Sequence, residues 1–550
     1  MLASGASVAC GPNLRNMETM TERDESTPTM PQLNTSMSRL IKLIVFVGGM
    51  TSIGIEISAS RLLAPYFGDS TFIWANVIGT TLTFLSLGYW LGGKVADRRP
   101  EPQLLFVLTA IAGLSACVIP IISKPILRLS LNAFDTVSIG EFYGSLIGVL
   151  VLFAVPITLL GFVSPFAIRL LVRDIASAGN TSGNLYALST FGSIAGSFLP
   201  VLVLIPLLGT AKTFYVFGGT IVVLSIIGLL IACKPKPSAM LTLASLAVLI
   251  FVWVGGGGPI KPPYRGDLIY ETESAYNYIQ VLDDDGRFML ALNEGQAIHS
   301  IYDPNNLVTG GPWDYFGLGP LFADNYDAGA IQSACIVGLA GGTAARELAE
   351  VYPGIAIDGI EIDSEIARLG REYFGLDQVP NLSTHVEDGR YFLETTDSTY
   401  DIVAVDAYHQ PYIPFQLTTK EFFELVQDHL TTNGVAVINV GRTDTDFRLV
   451  DVISSTMRSV FPYVFAVDVD RYNNTMLFGF SSPASVESFL EHASALPEGS
   501  LVQVVSGLAL QSGNIRPGPE GDRVFTDDLA PIEFYTDLLI LDAAREGEQP

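Results

Sequence analysis

The sequence predicts an α-helical multi-pass membrane domain, then an α/β Rossmann-like domain led in by a small β-hairpin subdomain. Three observations carry this reading. Apolar, mostly uncharged runs of membrane-spanning length recur between residues 41 and 256. From Cys335 to Gln410, β-rich phrases end in glycine turns or carboxylates, as at the ligand edge of an open parallel sheet. The charge is also divided. The 550 residues carry −26 overall, but from Pro259 onward 15 Lys and Arg face 45 Asp and Glu, whereas before it 15 face 11.

Residues 1–38 are rich in Ser, Thr, Pro and Asn without an apolar period, and are expected to form a disordered tail. No apolar stretch precedes Ile41, so no secretory signal is expected there. Residues 39–258 are read as about seven helices, at 41–63, 72–93, 103–123, 141–163, 184–208, 213–233 and 238–256. Small residues recur in GGMTSIG (48–54) and FGSIAGS (191–197), where helices can approach closely in lipid. Glu56 and Arg61 lie inside the first run. They are expected either to pair and hold the bundle together, or to face a polar cavity that takes a cation or a proton.

The hairpin subdomain is expected over 259–312. Polar residues alternate there with β-branched and aromatic ones, and DDDG (283–286) has the composition of a hairpin turn. The α/β domain follows over 313–545. Its first strand, ACIVGL, enters a glycine turn in which Gly338, Gly341 and Gly342 allow a ligand to approach the backbone and the next helix N-terminus. The second ends at Glu361, about twenty residues on, where a carboxylate accepts ribose hydroxyls. The third ends at Asp388-Gly389, in reach of an adenine amine, and the fourth at Asp406. Strands at 434–441 and 464–470 follow, and 474–481 is expected to close the sheet. The order of glycine turn and carboxylates points to an adenosine-bearing ligand. Tyr276, Gln296 and Asp303 are candidates for the substrate cleft, with Asp314 and Glu273 as further sources of charge.

The acidic, lysine-poor surface suits solubility in high salt, and would also attract cationic ligands. It disfavours nucleic acid as a partner. The four cysteines are scattered, and neither a disulfide framework nor a metal site is expected.

The hairpin subdomain, the EID phrase at 361–363, EDGR at 387–390 and FTDDLAPIE at 525–533 together resemble spermidine synthases. With RLLAPYFG (61–68), GYWLGGKVADR (88–98) and LNEGQAIHSIYDP (292–304), the chain is similar to the membrane-fused spermidine synthase-like group. The resemblance covers nearly everything after residue 40. It implies an S-adenosylmethionine-dependent methyltransferase-type fold and aminopropyl transfer from decarboxylated S-adenosylmethionine to a diamine. A homodimer through the soluble domain is implied as well. Carried over by position, Glu361 matches the ribose-binding acid, and Asp388 with Gly389 the adenine contact. Asp406 matches the first aspartate of the catalytic loop. The aspartate usually taken as base is replaced by His409, and the one that binds the donor's propylamine end by Gly341. Trp313-Asp314-Tyr315 stands for the family's Tyr-His-Glu.

Three functions stay open on these residues. One is a membrane-anchored aminopropyltransferase. Another is a transferase using S-adenosylmethionine itself, which brings its own carboxylate to the place where Gly341 stands. The third is a non-catalytic ligand-sensing or transport protein. The side of the membrane is in conflict. Basic clusters precede the first run and follow the second, fourth and sixth, so seven spans would put the acidic domain outside. Adenosyl ligands are made inside the cell, and on that ground a cytoplasmic domain is expected against the charge count.

Overall fold

A computed structural model describes residues 34–67, 71–134, 140–232, 260–293, 298–409, 411–469, 471–511, 514–521 and 523–546. The first six apolar runs are helices: α1 (Thr35–Phe67), α2 (Thr71–Arg98), α3 (Pro102–Phe134), α4 (Gly140–Gly161) continued by α5 (Val163–Leu171), α6 (Ile175–Leu199) continued through a π turn into α7 (Ile205–Leu208), and α8 (Thr210–Ala232). Helix α1 begins inside the stretch expected to be tail, and the run at 238–256 lies outside the described residues. Five of these helical stretches are long and apolar enough to cross a membrane. Helix α2, of 28 residues, is of similar length.

The glycine-rich phrases act as expected. A Cβ added at Gly49, Gly192 or Gly196 would land on the backbone of the facing helix, so α1 and α6 touch backbone to backbone. The expected Glu56–Arg61 pair is not formed. Glu56 is buried in the bundle, and a spacing of five residues turns the two side chains about 140° apart around the helix. Arg61 instead acts on Glu273 of the soluble part.

The hairpin region is a four-stranded antiparallel meander, β1 (Asp267–Glu273), β2 (Tyr278–Asp284), β3 (Arg287–Leu292) and β4 (Ile298–Tyr302). Asp284 pairs with Arg287, so Asp285 and Gly286 form the two-residue turn. Both have positive φ, as that turn requires.

Eight further strands make one mixed sheet: β5 (Ser333–Val337), β6 (Ala356–Ile360), β7 (Leu382–His385), β8 (Tyr400–Val405), β9 (Leu430–Gly441), β10 (Tyr463–Asp468), β11 (Asn474–Phe480) and β12 (Ile515–Pro517). Their order is β12-β10-β11-β9-β8-β5-β6-β7, parallel from β7 to β9 and antiparallel beyond. The strand expected to close the sheet, β11, is thus internal, inserted between β9 and β10. The edge belongs to the short β12, which has too few residues to show an alternating pattern. Helices cover both faces, with Phe322 stacked on Phe465 at 4.8 Å on one side. The order in which strands are added reverses at β5, whose parallel neighbours are β6 and β8. A crevice at such a reversal, outside the carboxyl ends of the strands, is where open α/β sheets bind ligands.

Candidate active site

Gly338 leaves β5 with φ +93, and a Cβ there would meet Ala407 N at 2.6 Å. Only glycine lets the ends of β5 and β8 touch at this point. Ala340 also has positive φ, 48°, a conformation that costs a residue with a Cβ roughly 1–2 kcal/mol. It is held by Glu361, whose Oε2 accepts the Ala340 N–H at 2.8 Å while Oε1 accepts the Asp363 N–H at 3.0 Å. Glu361 is buried, which pushes its carboxyl up to about 7 against the pull of those two N–H groups.

Gly341 faces away from the crevice. Its N–H donates to Ser300 Oγ at 2.8 Å, and an added Cβ would lie 2.9 Å from Ser300 and 3.0 Å from Phe374. An acid would not fit there without moving both. Ala340 is half-buried against the apolar cluster of the meander, and Gly342 caps the following helix, α9 (Thr343–Val351), with φ +87. The meander braces this loop a second time, because Thr343 Oγ1 exchanges hydrogen bonds with Ile301 N and O.

Asp363 ties the β1–β2 turn to the end of β6. Its carboxylate accepts from Ser274 Oγ at 2.5 Å and Asn277 Nδ2 at 3.0 Å, and caps α10 (Ser364–Tyr373). Tyr276, 44% exposed, sits on that turn above the β6 end. Asp388 accepts the N–H groups of Arg390 and Tyr391 on one oxygen, capping α11 (Gly389–Thr395), and Gly389 packs against Val337. Ile362 and Val386, at the adjacent ends of β6 and β7, are 40% and 48% exposed. Apolar side chains left open beside two carboxylates suit a flat, uncharged ring. They were not singled out from the sequence, although Ile362 stands between the two acids of EID.

On the other side of the crevice Asp406 is half-buried. Burial pushes its carboxyl up to about 7, offset by hydrogen bonds from Asn439 Nδ2 at 2.9 Å and from the Trp313 side chain. Asn439 is itself fixed: its Oδ1 accepts from Asn474 Nδ2 at 2.8 Å and its carbonyl from Tyr408 OH at 2.9 Å. Sequence spacing could not reveal Asn439, which reaches Asp406 because β9 lies beside β8. His409 is half-buried, three residues on, in a tight turn where it exchanges backbone hydrogen bonds with Tyr412. Tyr412 reaches Asp537 at 2.7 Å.

Two of the remaining candidates hold local turns. Asp303 forms a local turn by accepting the Asn305 N–H, and Gln296 lies outside the described residues. Asp314 is buried and accepts from Thr309 and Gly310, so it shapes the segment that carries Trp313. Two motif phrases meet through Arg390, which forks onto both oxygens of Asp527 at 2.7 Å each. No group of three or more His, Cys, Asp or Glu with metal-ligand proximity exists among the described residues.

The Trp313–Asp406 bond gives a first prediction. Trp313→Phe keeps the ring and removes the donor, so the carboxylate form of Asp406 is less favoured. Any turnover that needs this carboxylate should fall about fivefold at neutral pH, the effect of one hydrogen bond. It should recover at higher pH, which a pH profile of turnover reads directly.

The sequence profile of the spermine/spermidine synthase domain matches residues 322–486. The chain is 33% identical over 305 residues to a probable polyamine aminopropyl transferase of Bifidobacterium longum, covering 52% of this chain and 67% of that protein. It is 32% identical over 166 residues to a polyamine aminopropyltransferase of Vibrio vulnificus, covering 29% of this chain and about half, 54%, of that protein. A shorter match, 26% over 156 residues, joins it to an eEF1A lysine and N-terminal methyltransferase of Xenopus laevis, with 26% and 22% covered.

Proposed function

From the premise that this chain belongs to the spermine/spermidine synthase family, we propose that it is a membrane-anchored aminopropyltransferase, moving an aminopropyl group from decarboxylated S-adenosylmethionine to a diamine. The observation that carries the reading is the pairing, across one crevice, of a nucleotide-type edge with a single half-buried carboxylate. The edge is Gly338, Ala340, Glu361 and Asp388, and the carboxylate is Asp406.

The residues fit the adenosyl half of such a donor. Gly338 lets the ends of β5 and β8 meet, Glu361 stands at the β6 end, and Ile362 and Val386 offer an apolar surface. The donor's sulfonium makes its attached methylene electrophilic. What the chain must supply is a neutral amine in line with that carbon. Asp406 is suited to this task. As a carboxylate it attracts the ammonium form, and with a pKa near 7 it can take the proton as nitrogen attacks. The new C–N bond forms as the C–S bond breaks, methylthioadenosine leaves with the electron pair on sulfur, and the proton passes on to solvent. His409 is the second candidate for that proton.

The absence of an acid in the glycine loop favours one competing reading, transfer from intact S-adenosylmethionine. Lipid around the helices and a pair of α/β domains are further parts of the proposal, supported by apolar exposure such as Leu82, Trp90 and Phe198 and by family resemblance respectively.

The test uses the full chain in detergent and high salt. Titration with decarboxylated and intact S-adenosylmethionine should show preference for the former. Addition of putrescine should then release methylthioadenosine together with a longer polyamine. Preference for the intact donor with release of S-adenosylhomocysteine would replace aminopropyl transfer by another transfer. Binding of neither, by folded protein, would remove both.

A further inference from the structure

The helix bundle has two chemically different ends. Short connections gather the start of α1, the end of α2, the start of α3, the end of α5 and the end of α8 at one of them. Cross-contacts agree, since Gln103 donates to the Ala232 carbonyl at 2.7 Å and Arg169 pairs with Asp97 at 3.1 Å. This end holds the basic clusters at 39–42, 94–99 and 169–173. At the opposite end Gly144 packs on Phe67, and the bundle's cations there are fewer: Arg61, Lys124, Arg128 and Lys212, against seven in the three clusters.

The soluble part docks on this second, sparsely charged end. Lys261 Nζ donates to the Pro65 carbonyl at 2.5 Å, and Tyr66 OH to the Ile260 carbonyl at 3.4 Å. Glu273, the last residue of β1, accepts both the N–H and the hydroxyl of Thr210 at 2.6 Å, capping α8 beside Arg61. Arg61, Pro65 and Tyr66 of the phrase RLLAPYFG, which the transfer chemistry does not use, lie at this dock. The next residue after Glu273 is Ser274, which holds Asp363, so the dock and the nucleotide edge are adjacent in the chain.

We propose that the α/β domain lies on the extracytoplasmic side of the membrane and takes its acceptor amine from that side. Clustered Lys and Arg near helix ends stay in the cytoplasm during insertion, and here they mark the end remote from the domain. The described chain leaves the basic end at Ala232 and resumes at the other with Ile260. The apolar run at 238–256 has the length for that crossing. The source of the amine rests on the transfer reading; the side of the membrane does not.

The experiment places single cysteines in the full chain after Cys10→Ser and Cys233→Ser, the other two cysteines being buried. Asp397→Cys reports the α/β domain and Glu101→Cys the basic end, both at exposed positions. In right-side-out spheroplasts a membrane-impermeant maleimide should label the first at least tenfold faster than the second, and lysis should equalise them. The reverse pattern overturns the proposal. Should either variant fail to accumulate, fusions at the C-terminus decide: active alkaline phosphatase supports it and fluorescent GFP overturns it. Externally added donor and diamine should also be turned over equally by sealed and lysed spheroplasts. Latency released by detergent counts against the proposal. Absence of turnover in both, with labelling as expected, counts against the transfer reading alone.

Discussion

Asp406→Asn should lower kcat by about 10²–10⁴-fold and, at the same time, make the protein more stable above neutral pH. The first effect follows from loss of the only charge facing the acceptor from the end of β8. Asparagine still accepts from Asn439, so the pocket keeps its shape. The second effect follows from the direction of the carboxyl's shift. An unfolded aspartate ionises near 4, whereas this one does so at about 7 because it is desolvated. Below pH 4 both states are protonated and nothing is lost. Above pH 7 both are ionised, and the folded state bears the desolvation of a charge that the unfolded chain leaves in water. That cost is on the order of a few kcal/mol, reduced by whatever solvent reaches this half-buried group. Thermal melts at pH 5 and pH 8 should therefore show the variant stabilised mainly at pH 8. In the parent protein, activity should rise with pH through about 7, since the carboxylate is the working form. His409→Gln separates the two proton acceptors. If it abolishes that rise while Asp406→Asn retains it, the histidine is the base.

Glu361→Gln should weaken nucleotide binding about 30- to 100-fold without unfolding the chain. Each oxygen of Glu361 accepts one backbone N–H, from Ala340 and from Asp363. Glutamine keeps one acceptor and turns an N–H₂ group toward the other donor, which leaves a buried N–H unpaired at about 1–3 kcal/mol. Ala340, held at positive φ by that bond, would relax and open the glycine loop. Calorimetric titration of the full chain measures the loss. An unchanged Kd would mean that Glu361 is a structural brace alone and that the nucleotide sits elsewhere.

Much of this site was readable before the fold, for a physical reason. A parallel strand covered on both faces is mostly apolar, so carboxylates at its carboxyl end point to the ligand edge. Glu361, Asp388 and Asp406 were found that way. Asn439 was not, because it reaches Asp406 through sheet order rather than spacing, and Trp313 was named without its bond to Asp406. Gly341 shows a finer limit. Its number along the turn matched a ligand position, but the turn packs Gly341 against Ser300 and Phe374. Glu273 was a candidate for substrate charge. Only the relation between helices and meander reveals it as the cap of α8.

That cap has a practical consequence for anyone dissecting the molecule. Strand β1 lies at the edge of its sheet and is anchored at its last residue by Thr210. Cutting the chain at 259 would release Glu273 from both its donors and leave Lys261 without the Pro65 carbonyl. The freed piece would then present an unpinned edge strand, and such edges pair with one another. Clumping of the excised fragment would report the loss of this anchor, not an inability of the α/β sheet to fold.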